Sequence, residues 1–479
     1  MNTTVNLGTI ETTLVTDNPR LFEAKVAPLV TVLVPGAKFS WKFKKGDWDG
    51  KVSLVKQNDN HFTVLTGLVP KILDSLKGTG ITVRDFRGLT TPTINKSTKV
   101  KARPYQYKAV TSALSSSLPD GSWFPRGIIK IPTGGGKTET AVMLYEMNPV
   151  PTMFVVHRKD LMAQAISRYE TYGYKPGQIG DGVFKPDLNL TVATAQTLNR
   201  IRSGKDAKKR KLLQDLFDNC EQVYFDEAHI VASDLDRGNV FVNLTREFSN
   251  ANCRWGLTAT PFMRDVYSNL LLEGVTGPLL FDISSEDLIS LGYLTPPKVY
   301  LLKVQGKLQV TKPRQRTNAA AGQYWRDIFE KGIKYHAGRN QMIADELRKG
   351  SGPTICLVTT IEQGKYIQTL TGPGVPLLDG SDDLAARKKA IADLRSGKIR
   401  AMIVTTIFDE GVDIPELRKI ILGSGGKSPG KVLQRMGRGM RLATGKKEVE
   451  IIDFNDAHHP MLEKHTAARR AVYKAEGFL

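Results

Sequence analysis

The feature that most constrains the fold is a short apolar run that leads into three consecutive glycines. Residues 128–131 (IIKI) predict a buried strand, and a predicted helix follows the glycines. Glycines let backbone amides surround phosphate oxygens, a lysine neutralises them, and a threonine hydroxyl can hold Mg²⁺. Ile131 stands where the strict phosphate-loop pattern has its first glycine. We predict that the phosphate-binding residues are Pro132, Thr133, Gly134, Gly135, Gly136, Lys137 and Thr138.

An acidic pair ends a second predicted strand. Asp226 and Glu227 directly follow the mainly apolar residues 222–225. Alone, such a pair more often only ends a strand. Together with Lys137 and Thr138 it predicts ATP hydrolysis. Asp226 and the Thr138 hydroxyl would hold Mg²⁺, and Glu227 would polarise the attacking water.

Short apolar strands alternate with predicted helices in two separate series. The first series runs from about residue 100 to residue 292, and the second runs from residue 353 to residue 453. Such alternation is typical of parallel α/β sheets. The predicted fold class is therefore α/β.

The chain is strongly basic, with 68 lysines and arginines against 48 acidic residues and a formal charge of +20. This predicts a polyanionic partner, with nucleic acid favoured over an acidic membrane surface. No run approaches the ~20 apolar residues of a membrane helix, and the N-terminus lacks a leader pattern. We expect a cytoplasmic protein, located in the host cytoplasm if it is phage-encoded. Widely spaced Cys220, Cys253 and Cys356 predict buried thiols rather than a disulfide or zinc site.

The acidic motif spells DEAH at residues 226–229, and further short motifs accompany it in order. With the glycine loop, this set resembles the superfamily-2 helicases over about residues 100–455. The resemblance implies two tandem RecA-like parallel-sheet domains and assigns adenine recognition to Arg103 and Gln106. It also assigns nucleotide contacts to Gly411 and Asp413, and contacts with nucleic acid or coupling of hydrolysis to movement to His157, Arg158, Thr194, Gln196, Thr258, Thr260, Thr359 and Thr405.

The last motif, QRMGRGMR at residues 434–441, matches the QRxGRxxR form found in these helicases. Arginine suits this place because its planar, permanently charged fork can stabilise the charge that spreads over the γ-phosphate. By the resemblance, Gln434, Arg438 and Arg441 are catalytic, and the two arginines are the finger candidates. ATP held by Lys137 and by these arginines would bridge two domains, and hydrolysis would remove the bridge.

Residues 1–95 have a different pattern. Strand-like alternation at residues 38–43 and 51–55 surrounds a Gly-Asp-Trp-Asp-Gly turn, and a helix is predicted near residues 69–76. A small α+β accessory domain is therefore expected before the two parallel-sheet domains.

The segments around the two tryptophans of this domain resemble the accessory domain of UvsW-type phage helicases. By this resemblance, the protein would remodel branched DNA such as forks, four-way junctions and RNA–DNA loops. Trp41 and Trp48 are candidates for stacking on exposed bases, although aromatic residues on strands are more often core residues. Lys51 and its neighbouring lysines are candidates for backbone contacts.

Five segments are predicted. They are an accessory DNA-binding domain at 1–95, a first RecA-like domain at 96–295, a linker at 296–345, a second RecA-like domain at 346–455, and a basic tail at 456–479.

The predicted function is that of an ATP- and Mg²⁺-dependent DNA helicase or translocase that unwinds or branch-migrates forked and junction DNA. It would contact mainly the DNA backbone and need no obligate protein partner. The alternatives are a helicase for RNA or an RNA–DNA hybrid, the motor subunit of a restriction system, and a non-catalytic DNA-binding protein with a RecA-like fold. The QRxGRxxR form disfavours an RNA helicase, whereas an RNA–DNA hybrid remains a possible partner. The lack of a nuclease pattern disfavours a restriction motor. Intact Lys137, Asp226, Glu227 and Arg438 disfavour the last.

Overall fold

The computed structural model describes residues 1–34, 36–89, 94–97, 99–230, 240–262, 265–314, 317–350, 352–405 and 414–479. Contacts divide the chain into two compact units. The first comprises Met1–Ile131 and Gly136–Ile283, and the second comprises Pro132–Gly135 and Ser284–Leu479.

The N-terminal part of the first unit is a small α+β domain. Its elements are β1 (Asn2–Leu7), β2 (Glu11–Thr16), α1 (Pro19–Val30), β3 (Thr31–Leu33), α2 (Trp41–Lys45), β4 (Lys51–Ser53), β5 (Val55–Asn58), β6 (His61–Leu65), α3 (Val69–Ser75) and β7 (Gly80–Asp85). Five strands form a sheet in the order β5-β6-β2-β1-β7, and β3 and β4 form a separate antiparallel pair. Alternate residues of β1 and β2 are buried, including Val5, Leu7 and Leu14, and the core there also contains side chains of α1 and α3.

Residues 38–43 differ from the predicted strand, because they contain part of a 3₁₀ turn (Ala37–Phe39) and the start of α2. Ser40 caps α2, and its Oγ accepts a hydrogen bond from the Phe43 amide at 3.2 Å. Gly46 ends α2 in the left-handed region, with φ of 81°. The alternation of lysines with aromatic residues mimics a strand, but the serine and the glycine at its ends are helix boundaries.

The remainder of the first unit is a parallel α/β domain. Its elements are α4 (Pro104–Leu114), β8 (Arg126–Lys130), α5 (Lys137–Met147), β9 (Thr152–Val156), α6 (Lys159–Thr171), β10 (Gly177–Gly180), β11 (Val183–Lys185), β12 (Leu190–Thr194), α7 (Ala195–Arg202), α8 (Ala207–Asn219), β13 (Gln222–Asp226), α9 (Val240–Glu247), β14 (Cys253–Thr258), α10 (Val266–Thr276) and β15 (Leu279–Asp282). The sheet order is β11-β10-β12-β9-β13-β14-β8-β15, and the β10–β11 pair is antiparallel while the other neighbours are parallel. Strands β9, β12 and β14 are buried along their whole length, as expected for a sheet covered on both faces.

The accessory domain packs closely against this parallel domain. A Cβ at Gly67 would overlap the backbone carbonyls of Glu273 and Gly274, so only glycine allows the approach. Lys71 Nζ lies 2.5 Å from Glu273 Oε2. Leu65 belongs to the hydrophobic cluster of the parallel domain. The two domains therefore form one compact unit.

The second unit is a second parallel α/β domain. Its elements are α11 (Ser285–Ser290), β16 (Pro297–Lys303), α12 (Asn318–Phe329), α13 (Ala337–Arg348), β17 (Thr354–Leu357), α14 (Ile361–Thr371), β18 (Leu377–Leu378), α15 (Leu384–Arg395), β19 (Ala401–Val404), β20 (Lys419–Ile421), α16 (Pro429–Gly439), β21 (Val449–Asn455) and α17 (Pro460–Ala475). All strand pairs are parallel, in the order β16-β21-β20-β17-β19-β18.

Residues 296–345, predicted as a linker, are instead largely part of this domain. β16 pairs with β21 over seven positions, from Pro297 opposite Val449 to Lys303 opposite Asn455. Pro296 and Pro297 are residues typical of a loop, but here they stand at the start of an edge strand, where proline is tolerated.

Residues 456–479, predicted as a basic tail, contain α17 and bury two of its polar side chains. Arg469 Nε donates to Asp453 Oδ2 at 2.8 Å, and Tyr473 Oη donates to the same oxygen at 2.7 Å. The basic composition of this segment indicated an exposed tail, but the charge of Arg469 is neutralised by Asp453 inside the domain.

Helices within the described ranges are all too short or too polar to cross a bilayer. The thiols of Cys220, Cys253 and Cys356 are buried, as predicted, and burial raises the pKa of each to about 12. Over the same ranges, no group of three or more His, Cys, Asp or Glu side chains could by itself hold a metal ion.

Arg126 offers a test of how the accessory domain is held. It is buried and donates to Thr276 O at 3.1 Å, Val275 O at 2.7 Å and Thr9 O at 2.7 Å. We expect Arg126→Met to lower the free energy of unfolding by about 3 kcal/mol, because each buried carbonyl left without a donor costs about 1–3 kcal/mol. Thermal and urea unfolding would measure the loss. The exposed Arg84→Met is the matched control, and an equal midpoint for both variants would contradict the prediction.

Candidate functional site

The candidate site of the first unit lies where its parallel strands end. The glycine loop follows β8, Asp226 ends β13, and Thr258 ends β14. Because these strands are parallel neighbours, their carboxyl ends meet at one edge of the sheet, where open α/β sheets bind ligands. The fold therefore brings together three motifs that are far apart in the sequence.

The glycine loop has the backbone that a phosphate cradle requires. Gly134 and Gly136 have φ of 84° and 83°, values that favour glycine. α5 begins at Lys137, so its amide groups point towards the loop. Lys137 Nζ lies 3.7 Å from Glu227 Oε1, and both side chains are largely buried. The predicted phosphate-binding lysine and the predicted water-polarising glutamate thus share one site.

Gln106 supports the glycine loop. Its Oε1 accepts from the Arg103 amide at 2.9 Å, and its Nε2 donates to Gly136 O at 3.3 Å. A Cβ at Gly136 would overlap this Nε2, so the amide fits only against glycine. The Arg103 guanidinium donates to Tyr105 Oη at 3.2 Å. Recognition of adenine by Arg103 and Gln106 stays a prediction.

The two carboxyl groups of the acidic pair, Asp226 and Glu227, lie close together in a buried environment that favours a bound cation. Burial and the neighbouring carboxylate of Glu227 raise the pKa of Asp226 to about 7, while Lys137 opposes the rise. A divalent cation would restore the charged carboxylate. The hard oxygen donors Asp226 and Thr138 therefore fit Mg²⁺. Glu227 has φ of 48°, a costly conformation for a residue other than glycine and one that is enriched at functional sites.

His229, the last residue of the DEAH motif, had no role assigned from the sequence. Its Nδ1 lies 2.9 Å from Thr258 Oγ1 and 3.5 Å from Glu227 Oε2. Thr258 Oγ1 also accepts from the Thr260 amide at 3.1 Å. These contacts link the acidic pair to the Thr-Ala-Thr motif after β14. The sequence names these residues but does not indicate that they touch.

Four further residues predicted to contact nucleic acid lie near the ends of β9 and β12. His157 and Arg158 follow β9, Thr194 ends β12, and Gln196 lies at the start of α7. Burial lowers the pKa of His157 to about 4, with Glu227 opposing, so the imidazole is neutral at physiological pH. Thr194 is buried and its hydroxyl donates to Thr197 at 2.8 Å. Arg158 is partly exposed and Gln196 is exposed. Contact with nucleic acid stays a prediction for all four.

The second unit carries the remaining motifs. Thr359 is exposed after β17, and Thr405 is buried after β19. Gly411 and Asp413 lie outside the described residues. Helix α16 carries Gln434 and Arg438, both partly exposed, and the partly exposed Arg441 follows its end.

Arg435 of the same motif differs from the finger candidates. It is buried, and its Nη1 donates to Ser424 Oγ at 2.7 Å. The motif thus combines a structural arginine with two accessible ones.

By its contacts, Pro132–Gly135 belongs to the second unit. Within that unit, a Cβ at Gly437 would lie 2.5 Å from Thr133 Cβ, and a Cβ at Gly134 would lie 3.3 Å from Arg441 Cγ. The first half of the glycine loop therefore packs against the QRxGRxxR segment.

Two family patterns match the chain in sequence. The family described as "Type III restriction enzyme, res subunit" matches residues 99–263, and "Helicase conserved C-terminal domain" matches residues 338–443. The chain is a superfamily-2 helicase. The predictions of this superfamily, of tandem RecA-like domains and of an ATP-dependent helicase are confirmed.

Three relatives illustrate the breadth of the similarity. Putative helicase 22 of Sulfolobus islandicus filamentous virus is 25% identical over 442 residues, covering 86% of this chain and 74% of the relative. DNA 3'-5' translocase XPB2 of Sulfurisphaera tokodaii is 26% identical over 381 residues, covering 72% of this chain and 79% of the relative. ATP-dependent DNA helicase uvsW of Enterobacteria phage T4 is 22% identical over 465 residues, covering 88% and 84%. The helicase thus uses a nucleotide and binds nucleic acid.

The contact between His229 and Thr258 predicts a coupling defect. Thr258→Val keeps the shape of a fully buried side chain but removes the oxygen that meets His229 and the Thr260 amide. We expect strand separation to fall about tenfold, which corresponds to ~1.4 kcal/mol, with a much smaller loss of DNA-stimulated ATPase. Parallel unwinding and phosphate-release assays would measure both activities.

Thr276→Val is the matched control, because Thr276 is equally buried and, among the residues that the structure describes, its hydroxyl bonds only to Leu272 O in the same helix. If Thr258→Val lowered both activities by the same factor, His229 and Thr258 would have no coupling role.

Proposed function

We propose that this helicase is a Mg²⁺- and ATP-dependent DNA motor that unwinds or branch-migrates forked and four-way-junction DNA. The observation that carries the proposal is an exposed basic and aromatic segment on the accessory domain. We call residues 40–51 the α2 segment. The resemblance of the accessory domain to that of branched-DNA phage helicases supports the same function.

Trp41 is the proposed stacking residue of the α2 segment. Its side chain is 65% exposed, and Lys45 Nζ lies 3.9 Å from the ring centroid. An exposed indole can stack on any base, because every base has a π-face. Lys42, Lys44 and Lys45 are exposed around it and can pair with phosphates. This combination suits an unpaired base beside a duplex end, as occurs at a branch.

Trp48 has a different position from Trp41. It is partly buried, and its Nε1 donates to Lys51 O at 2.6 Å. Lys51 is exposed, with its Nζ 3.9 Å from Asp49 Oδ2. Trp48 therefore supports the shape of the segment, while Trp41 and Lys51 remain the residues proposed to meet DNA.

The attachment of the accessory domain supports a mechanical role. The α2 segment belongs to the same compact unit as the glycine loop from Gly136 onwards and the DEAH motif. The buried bonds of Arg126 and the Lys71–Glu273 ion pair hold the two domains together. A base-stacking element would then move with the first motor domain rather than independently of it.

The proposed chemistry uses the residues of the sheet edge. Lys137 binds the β- and γ-phosphates, and Glu227 polarises the attacking water. Asp226 and Thr138 would hold Mg²⁺, which would neutralise phosphate charge. The resemblance assigns the stabilisation of charge on the γ-phosphate to Arg438 and Arg441, and it makes Gln434 a further catalytic residue of the same motif.

A comparison of substrates tests the proposal. Wild type and Lys137→Ala would be assayed on a tailed linear duplex, a fork, a four-way junction and an RNA–DNA hybrid. We expect wild type to process the fork and the junction about tenfold faster than the linear duplex, a ~1.4 kcal/mol preference, and Lys137→Ala to process none of them. Equal rates on junction and linear DNA would remove the branched-DNA function and leave the motor intact. A preference for the hybrid would favour the alternative substrate.

The role of Trp41 can be tested separately. We expect Trp41→Ala to lower fork processing about tenfold, because stacking of one base contributes ~1–3 kcal/mol, and to affect linear DNA much less. Phe86→Ala is the control, because Phe86 is 69% exposed in the same domain but lies outside the α2 segment. Identical losses on forked and linear DNA, or identical behaviour of the two variants, would count against stacking at a branch.

A further inference from the structure

Two residues outside the motifs quoted above, Lys446 and Thr295, hold the C-terminal end of α16. Lys446 Nζ donates to Arg441 O at 3.0 Å, to Pro415 O at 2.8 Å, and also to Gly439 O. These three acceptors are backbone carbonyls. The three N–H donors of the ammonium group therefore match three acceptors.

Thr295 fastens the same turn through a second set of bonds. Its amide donates to Met440 O at 2.7 Å, and its hydroxyl donates to Arg441 O at 3.2 Å. The Thr295 side chain is 1% exposed, so water cannot replace these bonds easily. The carbonyl of Arg441 thus accepts from Lys446 and from Thr295 at once.

Helix physics explains why a lysine suits this place. The last carbonyls of a helix have no partner within the helix, and the negative end of its dipole favours a cation. The end of α16 is also buried, because a Cβ at Gly439 would lie 2.6 Å from Ile420 Cδ1 of β20. Lys446 therefore fixes the turn on one side while β20 limits it on another.

We propose that Lys446 and Thr295 are positioning residues for Arg438 and Arg441. They hold the turn that ends α16, and so determine where the two arginines project. The inference rests on the proposed role of these arginines in ATP hydrolysis. Lys446 also binds the carbonyl of Pro415, which lies two residues after the predicted nucleotide-contacting Asp413 in the sequence.

The titration of Lys446 provides an independent readout. Burial lowers the pKa of Lys446 to about 8, Arg418 lowers it further and Glu416 opposes. A neutral amine has only two N–H donors for three carbonyls. The fully bonded, charged form is therefore present below about pH 8, and kcat should fall as pH rises through this value.

Lys446 affects stability in the opposite direction to kcat as the pH rises. The pKa of Lys446 in the folded protein is below the ordinary lysine value, so between the two values the unfolded chain binds more protons. This group therefore adds stability as the pH rises. An alkaline loss of kcat without a fall in melting temperature would thus come from positioning and not from unfolding.

The experiment measures kcat and KM for ATP of the full chain with saturating DNA, from pH 7 to pH 9.5. The variants are Lys446→Met, Lys446→Arg, Thr295→Val and, as a matched control, Lys447→Met, which changes an exposed neighbouring lysine. We expect Lys446→Met to lower kcat roughly 10–100-fold, since it removes three hydrogen bonds to backbone carbonyls, with KM within about threefold. Thr295→Val should lower kcat about threefold, since it removes only one bond. Lys447→Met should match wild type.

Lys446→Arg should recover much of kcat and lose the alkaline fall near pH 8, because guanidinium stays charged. Wild-type kcat in folded Lys446→Met, or a loss no larger than the unfolded fraction explains, would overturn the inference. Should Lys446→Met not fold, Thr295→Val and the two pH profiles decide: no effect of Thr295→Val together with identical profiles for wild type and Lys446→Arg also overturns it. Arg441→Lys separates the two proposals, because normal kcat in that variant would refute the arginine role itself.

Discussion

The arrangement of the whole molecule depends on parallel pairing of buried strands. Parallel strands cannot be joined by tight turns, so each connection crosses a face of the sheet and every strand ends at the same edge. In the first unit this places the glycine loop, the DEAH motif and the Thr-Ala-Thr motif together, although more than 100 residues separate Ile131 from Thr258. The site is a direct consequence of sheet topology.

Buried cations are the second structural principle of this helicase. Arg126 and Arg254 each donate to three backbone carbonyls within the first unit, and Lys446 does the same in the second. In contrast, Arg339 and Arg469 pair with buried carboxylates, at 2.8 Å from Asp456 and Asp453 respectively. Part of the net charge of +20 is therefore internal. It holds loops and helix ends, and only the exposed remainder can meet a phosphate backbone.

The candidate site of the first unit combines a strained backbone with closely spaced charged groups. Glu227 adopts a positive φ, and Asp226 is held beside it with a raised pKa. The ammonium group of Lys137 offsets part of this negative charge through its ion pair with Glu227, and His229 connects the acidic pair to Thr258. A site of this kind responds strongly to a bound cation or phosphate, because either one changes the charge balance of several groups at once. Such sensitivity is what a cycle driven by nucleotide binding and hydrolysis needs.

The sequence by itself determined the two sheet domains, the glycine loop, the DEAH corner and the QRxGRxxR helix. These features depend on short-range patterns: apolar strands, glycines with positive φ, and motifs at the ends of strands. Only the tertiary structure decided which of two residues of the same type is buried and which is exposed. Trp41 is exposed while Trp48 is partly buried, and Lys446 lies inside a turn while Lys447 is exposed. It also decided that the segment beginning at Pro296 and Pro297 forms β16, which pairs with residues about 150 positions later. Burial and long-range pairing depend on what the rest of the chain brings to a residue, and no local pattern contains that information.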